Sequence, residues 1–76
     1  SLKSEVYHNG YNELTCLVQM AEAACRLGHY RTAHSFAKKA GSCYLSPVVA
    51  ERARELRNQA EECREKAAAA MREQVN

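Results

Sequence analysis

The sequence predicts an all-α chain, a three-helix antiparallel bundle, on three observations. Apolar residues recur three and four positions apart along most of the 76 residues, the period of one helix face. Gly28 and the pair Ser46-Pro47 interrupt that period in the two places where a bundle needs corners. Alanine crowds the stripes of the second and third segments, so those faces suit helices whose axes approach closely.

The first helix is expected over about 11–27. Leu14, Leu17, Val18, Ala21, Ala24, Cys25 and Leu27 form its stripe, and Asn9-Gly10 is a breaker just ahead of it. Residues 1–9 are left unassigned; they either extend this helix backwards or fold along the third. Gly28 ends the helix, because glycine enters the left-handed conformation of a C-terminus without a side-chain penalty. A short connection then makes the next helix antiparallel.

The second helix is expected over about 30–43, with Tyr30, Ala33, Ala37, Ala40 and Tyr44 on one stripe and Phe36 and Cys43 beside it. Ser46 at the cap and Pro47 at the first helical position start the third. It reads to about 74, some 28 residues or about 42 Å, longer than its partners. Val49, Ala53, Leu56, Ala60, Cys63, Ala67 and Ala70 alternate by four and three in a heptad-like seam. Ala60, Cys63, Ala67 and Ala70 are therefore the residues through which a second copy or a partner helix is expected to pack, giving a homodimer or a mixed helical pair.

The four cysteines lie 9, 18 and 20 residues apart without a CxxC pair, so neither a structural zinc site nor another bound metal is expected. All four are read as core thiols. Cys25, His29 and His34 can approach one another at the corner but offer only three ligands. No cofactor is expected. With no aspartate, three scattered glycines and no glycine-rich phosphate loop, the chain lacks the common catalytic signatures and is not expected to be an enzyme. The one nucleophile-and-base couple would be Cys25 with His29, next to Arg26.

Charge is uneven although the net is only +2. Residues 23–50 carry Arg26, Arg31, Lys38 and Lys39 and no acid, while residues 51–76 balance six bases against six acids. Arg26, Arg31, Lys38 and Lys39, with His34 beside them, are the candidate contacts for an acidic peptide, a phosphate or nucleic acid. No run approaches the roughly 18 apolar residues of a membrane span. The chain starts at Ser1 and is expected to be a single helical domain over 1–76, cut from a larger protein, and intracellular, in cytoplasm or nucleus.

Leu17, Met20, Ala21, Ala24, Gly28-His29-Tyr30, Ala33, Ala37, Ala40 and Pro47 resemble one tetratricopeptide repeat, a helix–turn–helix with small residues at fixed offsets. The likeness covers about 31 of the 76 residues; leucine stands where tryptophan is usual, and the proline comes two residues late. The Gly-x-Tyr corner is also similar to that of microtubule-interacting and transport domains, and residues 19–41 look similar to a helical segment preceding small MutS-related nuclease domains. What the tetratricopeptide resemblance implies is a hairpin followed by a further or capping helix, working as a non-catalytic interaction or scaffolding adaptor. The expected mode is helix-in-groove docking against the first and third helices. The alternative function is a small basic domain contacting nucleic acid beside a neighbouring domain.

Overall fold

A computed structural model describes residues 9–75, and every regular element among them is helical: α1 Tyr11–Arg26, α2 Tyr30–Ser42, α3 Pro47–Ala50 and α4 Arg54–Val75. The alternatives for the segment before α1 fall on residues 1–8, outside the described ones.

Asn9 and Gly10 start α1. The Asn9 side-chain oxygen accepts from the Tyr11 amide at 3.0 Å, and the Asn9 carbonyl accepts from the Ser46 amide at 3.0 Å, tying the start of α1 to the approach to α3. Gly10 is left-handed (φ 86°), and a Cβ there would lie 1.8 Å from the Tyr44 carbonyl oxygen. At the other end Gly28 (φ 81°) makes the corner. Its amide donates to the Cys25 carbonyl at 3.1 Å and the His29 amide to the Ala24 carbonyl at 2.9 Å, the paired bonds of a Schellman cap. Leu27 lies past the last helical residue and is exposed rather than part of the stripe.

The second helix closes at Ser42, and Cys43 is extended, so Tyr44 leaves the α2 stripe and is exposed. As the Ser-Pro pair predicts, the Ser46 hydroxyl accepts from the Val48 amide at 3.3 Å at the start of α3.

The continuous third helix over 47–74 is corrected. A turn at residues 51–53 divides it into α3 and α4. The Ala53 amide still reaches the Val49 carbonyl at 2.9 Å, but the Arg54 amide bonds Glu51 at 3.2 Å, an i→i+3 closure that tightens the chain. Two side-chain contacts brace the tightened turn: Arg54 pairs with Glu51 at 2.6 Å, and the Arg52 guanidinium lies 4.7 Å from the centre of the Tyr11 ring. The remaining α4 has 22 residues, about 33 Å, still longer than the 16 residues of α1.

The core is built largely from alanine. Around the corner end Ala21, Ala24, Ala33, Ala37, Cys63 and Ala67 pack together; around the other end Leu14, Val18, Ala40, Ala53 and Ala60 do so. Leu14 and Val18 are the largest fully buried side chains. Tyr11, Leu17, Tyr30, Phe36 and Leu56 close the edges. With methyl groups at the crossings, dispersion between closely spaced backbones supplies packing that larger side chains supply elsewhere.

The heptad-like seam is real, but its partner is the chain's own hairpin. Ala60, Cys63 and Ala67 are buried against α1 and α2, so they are not offered to a second copy; only Ala70 stays half-buried. The small residues that allow association between chains here let α4 nest within one.

Candidate interaction groove

The first and last helices flank a groove of about 650 Å³. Glu22, Cys25 and Arg26 line it from α1; Gln59, Glu62, Cys63, Lys66 and Ala70 line it from α4, and Tyr30 closes the corner end. Helix geometry explains the selection. Residues 22 and 26 lie one turn apart beside the buried row 21–24, and 62 and 66 lie one turn apart beside the buried row 60–63–67.

α1 and α4 run in the same direction, and on each an acid precedes a base by one turn, Glu22 before Arg26 and Glu62 before Lys66. A row of acid then base therefore lies on each wall.

Two thiols form the floor. The Cys63 sulfur stands 3.7 Å from the Cys25 sulfur. Burial, the contact with Cys25 and the nearby charge of Glu22 push the Cys63 thiol up from 9.0 to about 11, opposed by Lys66, so it is protonated at neutral pH.

The predicted site residues divide between two surfaces. Arg26 belongs to the groove. Arg31, His34 and Lys38 follow one row along α2, opposite the buried Ala33, Ala37 and Ala40, and Lys39 stands beside that row with its ammonium 5.8 Å from the Phe36 ring centre. Arg31, Lys38 and Lys39 are exposed and His34 is half-buried. The outward face of α2 is thus basic, with no acid on that helix, and is separate from Arg26. Cys25, His29 and His34 are not gathered as ligands: among the described residues no group of three or more His, Cys, Asp or Glu is placed to hold a metal ion.

The expectation of four core thiols is also corrected. Only Cys63 is buried; Cys25 and Cys43 are half-buried, and Cys16 is exposed because it falls between the buried positions 14 and 18 on the far side of α1. Glu22, Tyr30, Gln59 and Glu62 were not singled out by sequence reasoning. Their signal was the spacing of Glu22 to Arg26 and of Glu62 to Lys66, four residues each, on helices that only the topology joins. No described helix is long and apolar enough to cross a membrane.

No family model, curated protein or solved structure matches the chain.

Proposed function

We propose that the chain is a non-catalytic protein-interaction module that receives a helical segment of a partner in the α1–α4 groove. The observation that carries this reading is the groove itself, each wall of which bears an acid and, one turn on, a base: Glu22 and Arg26 on α1, Glu62 and Lys66 on α4. An amphipathic helix carrying a base and an acid one turn apart complements either wall, and small residues between them fit over Ala70 and the thiol floor. Because both walls run acid then base in the same direction, one orientation of the guest is favoured.

A second reading, contact with nucleic acid, is favoured by one observation: Arg31, Lys38 and Lys39 stand exposed on an α2 that has no acid. Such contact is dominated by phosphates and falls steeply with salt, more steeply than docking in a groove with a largely apolar floor.

The test begins with partners captured on the immobilised chain and then purified. Their affinities are measured for the parent chain, for Glu62→Lys/Lys66→Glu, and for Arg31→Glu/Lys38→Glu. The first double variant keeps the net charge and reverses one wall, so a groove partner should bind at least about tenfold more weakly, about 1.4 kcal/mol. Unchanged affinity for it, together with loss on the α2 variant and a steep salt slope, would transfer the function to the basic face.

A further inference from the structure

We propose that Cys25 and Cys63 are a modification site, a thiol pair that a hydroperoxide converts into an intramolecular disulfide tying α1 to α4. Three observations on the folded chain lead to it. The two sulfurs are 3.7 Å apart although the residues are 38 positions apart in sequence. Closing to the roughly 2.05 Å of a disulfide asks each side chain to move by less than an ångström or so. Both cysteines line the groove of about 650 Å³, whose open space leaves room for that rotation.

Accessibility assigns the order of events. Both thiols line the groove, but Cys25 is half-buried whereas Cys63 is only 7% exposed, so the oxidant meets Cys25 first. The Cys25 sulfur attacks one peroxide oxygen, the O–O bond breaks, and water or an alcohol leaves with the thiol proton, giving a sulfenic acid. The Cys63 sulfur then attacks the Cys25 sulfur. The S–O bond breaks, the S–S bond forms, and the hydroxide departs as water with the Cys63 proton. Two thiols are oxidised and one peroxide is reduced; the raised pKa of Cys63 keeps its thiolate a minor form, and the 3.7 Å approach, which makes the attack intramolecular, offsets that.

The other two cysteines do not compete. Cys43 directs its thiol to the Ala40 carbonyl at 3.6 Å, and Cys16 lies on the outward side of α1. The inference does not depend on the groove having a partner, because its test reads the bond.

The experiment uses the full chain as Cys16→Ser/Cys43→Ser, treated with dilute hydrogen peroxide. The expected product is a monomer lighter by about 2 Da that takes up no alkylating reagent and yields a Cys25–Cys63 linked peptide. Its melting temperature should rise by about 10 °C or more and fall back on reduction, since the link closes a long loop. Thiols that both remain alkylatable, or bonds found only between chains, would overturn the proposal. In Cys63→Ala, which restores the alanine pattern of the core, a carbon nucleophile should trap Cys25 sulfenic acid that the parent does not accumulate. Equal trapping in both would remove Cys63 from the second step.

Discussion

Arg57 donates from Nη2 to the carbonyl oxygen of Cys43 at 2.6 Å, and its Nη1 donates to the Gly41 carbonyl at 2.8 Å. One guanidinium of α4 thus occupies carbonyls that the end of α2 leaves unpaired, where positive charge is also favoured by the helix dipole. Its Nε is buried with no hydrogen-bond partner, which offsets part of the gain. Replacing Arg57 with Met, similar in reach but without donors, should lower the unfolding free energy by about 1.5–3 kcal/mol. Arg57→Lys should recover less than half, because an ammonium lacks the planar fork that meets two carbonyls together. Urea denaturation of the three chains checks both statements.

The three glycines should answer alanine differently. Gly10→Ala meets the Tyr44 carbonyl at 1.8 Å in a left-handed backbone, so a loss of about 3 kcal/mol or more is expected. Gly28 shares the backbone conformation but has nothing within 4 Å, and only the conformational cost of about 1–2 kcal/mol remains. Gly41 is helical with open space around its missing Cβ, so Gly41→Ala should stabilise by about 0.5 kcal/mol. Denaturation midpoints in the order Gly41→Ala, parent, Gly28→Ala, Gly10→Ala would bear this out; equal losses at Gly10 and Gly28 would contradict it.

What was legible in the sequence was whatever short-range chemistry decides. Gly28 and Ser46-Pro47 mark their helix ends because a cap needs only its neighbours, and the apolar period finds the buried rows. The turn at 51–53 was not legible, since no glycine or proline marks it and one of its contacts, Arg52 over the Tyr11 ring, comes from another helix. Leu27 and Tyr44 were misplaced by extending a stripe by a residue or two, and Cys16 by reading every cysteine as a buried thiol although its phase puts it opposite Leu14 and Val18. The seam at Ala60, Cys63 and Ala67 shows the general limit: spacing reveals that a face is covered, not what covers it. The groove is further still from the sequence, because the walls that carry Glu22 and Glu62 come together only after α2 has returned the chain.

Alkaline pH should weaken the bundle through Cys63. Its folded pKa, about 11, lies above the ordinary 9.0, so the stability linked to the protonated thiol is fully present below about pH 9. That contribution is lost as pH rises through 11, when a thiolate must form in the core beside Cys25 and Glu22, with Lys66 the nearby cation. Urea unfolding between pH 8 and 11 (a window set by those two values) should show a decline that is shallower in Cys63→Ala. Parallel curves for the two chains would remove the thiol as the cause.

The close approach of the helices makes the sharpest prediction. Ala33 and Ala37 are buried on the α2 face that meets Ala21, Ala24, Cys63 and Ala67, so a leucine at either place has no cavity to enter. It must spread α2 from α1 and α4 or take a strained rotamer, at a cost of about 1–3 kcal/mol. The pair should not be additive, because one spreading of α2 makes room for both leucines. The same exchange at Ala50, which is exposed, should change stability by less than about 0.5 kcal/mol. If Ala33→Leu unfolded at the same urea concentration as Ala50→Leu, packing at the α2 crossing would have to be loose, and the alanine row could no longer explain how three helices of such small side-chain volume hold together.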